Sequence, residues 1–412
     1  MLDAPPSESE KLSWCYVLLG VVIVYSTIPV ARALREAVRD HVGLQYFLYA
    51  AVALVLVAGY FALKNVRDRN LPANAQFWLL AIFCAFLGYI YALRDIPEEA
   101  IHVGEYGVLG LLVYRALVHR IRDWSVYLAA SLVVAMIGVI DEYIQWLTPS
   151  RVFDLRDIRT NAMAGALSQL GIFAGLRPSI ISGKPGARNM SRLCYLGVAG
   201  LALLALGFMN TPQSITWYAS KLSPLNYLMD SRSMMVEYGY RFDDADAGVF
   251  RSRFSKAQLE QLDRRRGAEV ARILDSYIRG IGYREFQTRY SVLRDAYAHE
   301  AGVHLFRREF HLDRARENND KQSEHYQIAY RENRILKKYF PGAMNHSRHD
   351  WSRETAAEVD SNTDKTISYE SAVSKGLITG FSQIQVMSVF IVVIAALGLL
   401  GIRLGRGGRS AE

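Results

Sequence analysis

Long uncharged apolar segments are the feature that most constrains this chain of 412 residues. A helix needs about 20 apolar residues to cross the hydrocarbon core of a bilayer, and non-helical backbone would leave its polar groups unsatisfied in lipid. Eight segments are long enough, although polar residues lie near one end of the fourth and sixth: about 13–33, 44–63, 76–93, 101–118, 125–147, 157–176, 193–209 and 381–403. We therefore predict an all-α integral membrane protein with about eight transmembrane helices.

Basic residues are distributed unequally between the two sides of these predicted spans. An even number of spans places both termini on one side, and the loops of that side carry Lys64, Arg67, Arg69, Arg115, Arg120, Arg122, Arg177, Lys184, Arg188, Arg192, Arg403, Arg406 and Arg409. The opposite short loops carry fewer and balance them with acids: Arg35, Arg39, Arg94, Arg151, Arg156 and Arg159. By the positive-inside rule, we predict cytoplasmic termini in a multi-pass protein of the bacterial inner membrane. Acidic residues precede the first segment and no small-residue cleavage pattern follows it, so we expect a retained anchor.

A charged, tyrosine-rich segment over residues 210–380 interrupts the apolar pattern before the last span. No proline lies between Pro224 and Pro341, and apolar residues recur there at helical spacing. This pattern predicts helices near 255–280, 283–312 and 319–340, joined by turns at Gly280–Gly282 and Asn318-Asn319. From Thr366 a helical pattern could continue into the last span as a rigid stalk. We expect an extracytoplasmic helical domain that could engage a periplasmic protein partner.

The formal net charge of +8 does not indicate a nucleic-acid partner. The basic residues are spread through short loops, which is typical of a membrane protein rather than of a surface that binds phosphate backbones. The three cysteines lie in or at the end of apolar segments, so no disulfide framework is expected in the polar domain.

One motif in the polar domain is similar to a zinc-protease signature. That signature needs two histidines four residues apart, so that both lie on one helix face. Here His299 and His304 are five apart and Gly302 interrupts them, although Glu300 and His304 share a face with His311 two turns on. We interpret the motif as the solvated face of an amphipathic helix, with a weak metal site as the alternative.

Ionisable and amide side chains gather near one end of predicted spans four to six. They are His102, Glu105 and Tyr106 in span four, Asp141, Glu142 and Gln145 in span five, and Arg151, Asp154, Asp157 and Asn161 in the following loop and span six, where Gly165 follows. Such groups are costly in a membrane and usually face protein or water, so they are candidates for a functional site. The alternative is that they are polar contacts that hold the spans together.

The order and spacing of these residues resemble the VanZ-like family. The matching strings are His102-Val-Gly-Glu105-Tyr106, Asp141-Glu142-x-x-Gln145, Pro149-Ser-Arg151-x-x-Asp154-x-x-Asp157-x-x-x-Asn161-x-x-x-Gly165 and, ending the first span, Tyr25-Ser-Thr-Ile-Pro29. The resemblance covers about residues 13–176, departs from the family at Ser150 and at Glu98 and Glu99, and leaves the polar domain and last two spans unassigned. It implies a helical membrane unit with a polar site, from a family associated with teicoplanin resistance, and it implies no reaction.

Three functional hypotheses follow. The first is a site that binds or handles a cell-envelope lipid or its head group, with Gln145, Arg151, Asp154, Asp157 and Asn161 as ligand-binding residues. In it, arginine would hold a phosphate, and a divalent cation could be held by carboxylates. The second is a membrane-anchored scaffold that presents residues 210–380. The third is a hydrolase or transferase acting on a lipid-linked phosphate, with His102, Glu105, Asp141 and Glu142 as candidate catalytic residues. Membrane lipids are the expected partners in all three.

Overall fold

In the computed structural model the chain forms two compact units, and the structure describes residues 6–149, 151–231, 233–277, 282–317 and 321–409. The first unit comprises Met1–Leu206 together with Ser388–Glu412. The second is the continuous segment Gly207–Met387. The segment predicted as a polar domain, 210–380, therefore lies within the second unit.

The first unit is built of helices. They are α1 (Glu10–Thr27), α2 (Ala31–His41), α3 (Gln45–Asp68), α4 (Ala73–Ala92), α5 (Pro97–Leu117), α6 (Ser125–Trp146), α7 (Leu155–Leu170), α8 (Ala187–Met209) and the C-terminal α16 (Gln383–Arg409). A short 3₁₀ helix, Ile28–Val30, joins α1 to α2, and a π-helical turn, Gly171–Leu176, extends α7.

Six helical segments are long and apolar enough to cross a membrane: Glu10–His41, Gln45–Asp68, Ala73–Ala92, Ser125–Trp146, Ala187–Met209 and Gln383–Gly407. They are consistent with an all-α, multi-pass membrane protein. The other two predicted spans, 101–118 and 157–176, correspond to α5 and α7, whose polar side chains lower their apolarity. Helix α5 packs against α1, α3, α6 and α7 and is buried along much of its length.

The core of the first unit lies around α5. Tyr106, Leu109 and Val113 of this helix are almost fully buried, and they share one hydrophobic cluster with Val134 of α6 and Ala164 of α7. Burial of such side chains contributes about 1.5–3 kcal/mol each in water, but between membrane helices close packing replaces most of that term. The three helices are therefore held at a fixed separation.

The second unit combines helices with one β-hairpin. Its elements are α9 (Pro212–Lys221), a 3₁₀ helix (Ser223–Asp230), β1 (Tyr240–Asp244), β2 (Gly248–Ser252), α10 (Lys256–Tyr277), α11 (Gly282–Arg289), α12 (Val292–Arg316), α13 (Gln322–Tyr339), α14 (Pro341–Asn345) and α15 (Arg353–Ser361). Its core includes Phe250 from the hairpin, Leu274, Leu305 and Phe340.

The hairpin departs from the helical domain that we predicted. Strands β1 and β2 pair antiparallel, with Asp244 opposite Gly248. The Asp244 carboxylate accepts hydrogen bonds of 3.0 Å from the backbone N–H groups of Asp246 and Ala247, and Gly248 has a φ of +85°. An aspartate that closes its own turn, followed by a glycine with positive φ, is the chemistry of a tight turn rather than of a helix.

The predicted helix over 283–312 is wrong, because α11 and α12 replace it. The backbone N–H of Tyr290 closes the last turn of α11 on the Phe286 carbonyl at 2.8 Å. Ser291, with extended φ and ψ, occupies the N-cap position of α12, and its hydroxyl donates to the Met229 carbonyl at 2.7 Å. A contact with a distant segment thus ends one helix and starts the next. The turns predicted at Gly280 and at Asn318-Asn319 lie outside the described residues.

The predicted helical stalk from Thr366 is also wrong. Residues 362–382 are not helical, and α16 begins at Gln383. The Val249 N–H donates to the Tyr369 carbonyl and the Ser371 N–H donates to the Val249 carbonyl, each at 2.8 Å. The segment is extended there because its backbone hydrogen bonds go to the edge of β2.

Candidate functional site

The buried polar cluster of the first unit begins with a tyrosine and a carboxylate. Tyr106 of α5 donates a hydrogen bond of 2.8 Å from its hydroxyl to Oδ2 of Asp141 on α6. Both side chains are almost completely inaccessible to solvent. A charge-assisted bond of this kind is stronger than one between neutral groups, so it holds α5 and α6 in register.

A second carboxylate, Glu142, organises the loop between α6 and α7. Its Oε1 accepts a 2.7 Å hydrogen bond from the Gln145 amide, and its Oε2 accepts one of 2.8 Å from the backbone N–H of Asp154. Arg151 turns back along the same loop and donates from Nη2 to Oε1 of the Gln145 side chain. Arg151, Gln145 and Glu142 thus form a continuous chain of hydrogen bonds. Because both Glu142 oxygens have partners, this carboxylate positions the loop. The catalytic role that we predicted for it stays a prediction.

The Asp154 side chain, which we predicted to bind ligand, is engaged at the start of α7, and its binding role stays a prediction. It caps α7 by accepting a hydrogen bond of 2.8 Å from the Arg156 backbone N–H, and it also pairs with the Arg156 guanidinium at 2.6 Å. An aspartate at this position satisfies a free N–H of the first helical turn. Only the backbone of Asp154 contributes to the cluster, through its bond to Glu142.

His102 occupies the centre of the charged part of the cluster. Its Nδ1 lies 3.2 Å from Oε2 of Glu105, but the pair lacks hydrogen-bond geometry. His102 is also close enough to Asp141 and Asp157 to interact with both electrostatically. The side chains of His102 and Glu105 are about one-fifth to one-quarter exposed, so this edge of the cluster is open.

The acidic start of α5 has its own basic partner. Glu98 forms an ion pair with Arg35 of α2, with 2.7 Å between Oε1 of Glu98 and Nε of Arg35. This arginine is distant in sequence, so inspection of the residues next to His102 could not find it. Its charge partly offsets the acids that replace a basic residue in the VanZ-like pattern.

Five buried polar atoms of the cluster have no hydrogen-bond partner among the described residues. They are His102 Nδ1, Glu105 Oε2, Asp141 Oδ1, Arg151 Nε and Asn161 Oδ1. Three are carboxylate or amide oxygens that accept hydrogen bonds, and Arg151 Nε is a donor. The cluster can therefore bind a polar ligand that both donates and accepts.

Gly138 and Tyr89 also shape the cluster, although the sequence pattern did not predict a role for either. Gly138 of α6 leaves the space in which Asn161 packs, because a Cβ there would lie 2.9 Å from the Asn161 Cβ. The Tyr89 hydroxyl hydrogen-bonds the Thr160 hydroxyl at 2.9 Å and ties α4 to α7. The position of Gly138, one helical turn before Asp141, was the available clue to its role.

Neither the cluster nor the zinc-like motif presents a metal site among the described residues. No group of three histidine, cysteine, aspartate or glutamate side chains has an arrangement that could hold an ion there. In the second unit, His299 contacts the Tyr290 carbonyl through Nδ1 at 2.8 Å, whereas His304 contacts Oε2 of Glu332 at 2.5 Å. The two histidines are thus engaged separately. Because His299, Glu300 and His304 are all buried, our interpretation of a solvated helix face is wrong.

The fold is consistent with a helical membrane protein, and its first unit contains a buried polar cluster. No family model, curated protein or solved structure compared with the chain matches it. The resemblance to the VanZ-like family therefore stays a prediction, carried by the residues around His102, Asp141 and Arg151.

Proposed function

We propose that the polar cluster binds the head group of a cell-envelope lipid, in particular a polyprenyl-linked phosphate. The observation that carries this proposal is the convergence of unpaired buried polar atoms from α5, α6 and α7. Each such atom costs about 1–3 kcal/mol if it stays unpaired. A bound polar group removes that cost, which supports a ligand site over simple helix–helix contacts.

The donors and acceptors of the cluster match a phosphate that carries a hydroxylated group. Arg151 keeps Nε unpaired while Nη2 holds Gln145, so the guanidinium can donate to a phosphate oxygen. The unpaired oxygens of Asp141 and Asn161 can accept hydrogen bonds from hydroxyl groups. Glu142 would act indirectly, by holding the loop that carries Arg151.

The proposed site requires α5 and α7 to cross the membrane with the six apolar helices. Helix α5 has 21 residues, and α7 has 16 followed by a π-helical turn of 6. At 1.5 Å per residue each is about 30 Å long, enough to span the hydrocarbon core. Their buried polar side chains, such as Tyr106 and Asn161, face neighbouring helices, where polar groups are tolerated. The distribution of basic loops supports an extracytoplasmic cluster and cytoplasmic termini.

Labelling of single cysteines tests that topology. In a background without Cys15, Cys84 and Cys194, Arg94→Cys should react with a membrane-impermeant maleimide on intact cells. Arg120→Cys should react only after permeabilisation. The reverse pattern would show that the cluster faces the cytoplasm.

Lipid binding tests the function. Full-length protein in detergent micelles is titrated with a short-chain polyprenyl phosphate, and binding is followed by calorimetry. The double variant Arg151→Ala, Glu142→Gln should weaken binding by at least about tenfold, equivalent to about 1.4 kcal/mol. Arg94→Ala, which removes an exposed arginine on the same predicted side, should have no effect. Equal affinities for the double variant and the original protein would refute the proposal.

A scaffold function is the first alternative, and the compactness of Gly207–Met387, with its own core, favours it. In that case the membrane unit anchors a domain that contacts a periplasmic protein. Replacing residues 215–375 by a short linker discriminates the two functions. Lipid binding that survives this deletion supports the head-group site, whereas its loss together with intact folding of the membrane unit supports the scaffold.

A hydrolase or transferase is the second alternative, favoured by the 3.2 Å approach of His102 to Glu105. A histidine next to a carboxylate can act as a general acid or base. Release of phosphate or transfer of the head group from a polyprenyl phosphate, with or without added Mg²⁺, would be lost in His102→Gln. The absence of turnover, with binding intact, would leave the binding function alone.

A further inference from the structure

A large groove lies in the first unit, and none of the cluster residues lines it. Its volume is about 710 Å³, and it lies between α3, α4, α5 and the π-helical turn after α7. Most of its lining is apolar, including Leu54, Phe61, Phe83, Val108 and Leu111. Helices α3 and α4, which form two of its walls, are among those apolar enough to cross a membrane. We therefore expect the groove to open to the hydrocarbon of the membrane rather than to water.

The length of the groove matches one leaflet of a bilayer. Along α5 its lining extends from Val103 to Arg115. Twelve residues of helix rise about 18 Å, and half of a hydrocarbon core is about 15 Å. One acyl chain of a phospholipid fits this length, whereas a long polyprenyl chain exceeds it.

Charged side chains occur in the lining only towards one end of α3 and α5. Lys64, Asn65 and Asp68 of α3 and Arg115 of α5 are lining residues. Arg115 is already neutralised, because its Nη2 donates to Oε2 of Glu8 at 2.6 Å and its Nε donates to Oε1. One cation and one anion, Lys64 and Asp68, are left to meet a ligand.

The charge of this end selects a kind of head group. Lys64 and Asp68 are four residues apart, and so lie on one helix face, and neither makes a hydrogen bond or ion pair within the described residues. A phosphate beside Lys64 and a primary ammonium beside Asp68 would give each of these side chains a counter-charge. An anionic glycerol head would leave Asp68 without a counter-charge, and a choline head has no N–H to donate to it.

We propose that this groove is a phospholipid site that holds one acyl chain, with a phosphoethanolamine head group at Lys64 and Asp68. The site is independent of the head-group function proposed for the polar cluster. His102 and Arg115 lie towards opposite ends of α5, so most of the length of that helix separates the polar cluster from the charged end of the groove.

Photocrosslinking in nanodiscs tests the proposal. The full-length protein is reconstituted in phosphatidylcholine with a minor fraction of phosphatidylethanolamine that carries a photoactivatable acyl chain. After illumination, the labelled peptides are identified by mass spectrometry. We expect label on the groove faces of α3 and α5, and competition by unlabelled phosphatidylethanolamine but not by phosphatidylglycerol or phosphatidylcholine.

Matched variants separate the chain site from the head-group site. Ala58→Trp fills the groove from its wall and should reduce labelling about tenfold, whereas Val57→Trp, on the exposed side of α3 and outside the groove, should not. The double variant Lys64→Ala, Asp68→Ala should abolish the preference for ethanolamine, and Arg67→Ala, which does not line the groove, should keep it.

Several outcomes would overturn this site. Equal labelling of Ala58→Trp and Val57→Trp would exclude a specific chain site. Stronger competition by phosphatidylglycerol, or none by any phospholipid, would exclude the proposed head group. Because the assay contains no polyprenyl phosphate, its failure would not affect the function proposed for the polar cluster.

Discussion

The hydroxyl of Tyr106 donates a hydrogen bond of 2.8 Å to one carboxylate oxygen of Asp141, and the other oxygen of Asp141 has no partner among the described residues. The tyrosine therefore orients the carboxylate without saturating it. A structural carboxylate in a helix bundle would be expected to use both oxygens. The open Oδ1 is what a binding site requires.

Removing that hydroxyl should destabilise the first unit. In Tyr106→Phe the Oδ2 of Asp141 also loses its hydrogen-bond partner, which costs about 1–3 kcal/mol. We expect a lower midpoint of thermal unfolding for the full-length protein in detergent, followed by circular dichroism. Tyr91→Phe is the control, because that ring is 65% exposed and should leave the midpoint unchanged. A Tyr106→Phe midpoint equal to that of the control would contradict the structural role of the bond.

Gly138 should be intolerant of even one methyl group. A Cβ at this position would lie 2.9 Å from the Asn161 Cβ, within two helices that pack closely. Displacing Asn161 should cost about 1–3 kcal/mol and weaken head-group binding. Gly88→Ala is the matched control: nothing lies within 4 Å of its Cβ, so alanine should stabilise α4 by about 0.5–1 kcal/mol. If the unfolding midpoints of Gly138→Ala and Gly88→Ala move in the same direction, Gly138 does not limit the packing.

Sequence alone predicted the helices better than it predicted the contacts between them. The length that a bilayer demands is a local property, so six apolar segments could be recognised without the fold. The helical period also placed Asp141 and Gln145 on one face. The partner of Glu142 is the Asp154 backbone N–H, which depends on the path of the intervening loop. No periodicity contains that information.

The second unit was harder to predict, because its elements depend on distant partners. Two strands of five residues carry little alternation, and the turn between them was visible only as Asp244 and Gly248. The break at Ser291 requires the Met229 carbonyl, and the extended segment at Tyr369 requires the edge of β2. Helical spacing therefore predicted continuous helices at two places where long-range hydrogen bonds prevailed.

His299 should make the second unit sensitive to acid. Burial and the nearby positive charge of Arg253 lower the pKa of this imidazole to about 4, from an ordinary value of 6.5. Between these values the unfolded chain binds more protons than the folded one. The contribution of His299 to the free energy of unfolding is therefore fully present above pH 6.5 and is lost as the pH decreases towards 4. The loss approaches about 3 kcal/mol. The pKa of His311 is lowered in the same direction, mainly by burial.

Hydrogen exchange of the full-length protein measures this effect. Peptides from α12 should lose protection between pH 7 and 5, after correction for the intrinsic exchange rate. His299→Gln should flatten part of that dependence, and the remainder is assigned to His311. His346→Gln, whose ring is on an exposed residue, should behave like the original protein. An unchanged pH profile in His299→Gln would rule out titration of this residue as the cause.

Glu332 should be the most sensitive carboxylate of the second unit. It is fully buried and joins three segments, because it accepts hydrogen bonds from His304, Tyr369 and Ser371 at 2.5–2.6 Å. Burial opposes its ionisation, but His304 and these hydrogen bonds lower the pKa of the carboxyl nevertheless. In Glu332→Gln an amide donor faces other donors, so we expect the free energy of unfolding to fall by about 3–5 kcal/mol.

Urea-dependent proteolysis of the full-length protein should then cleave the second unit at a lower urea concentration. Glu324→Gln changes an exposed glutamate of the same helix and should leave the cleavage midpoint in place; coincident midpoints for the two variants would show that Glu332 does not bind these segments together.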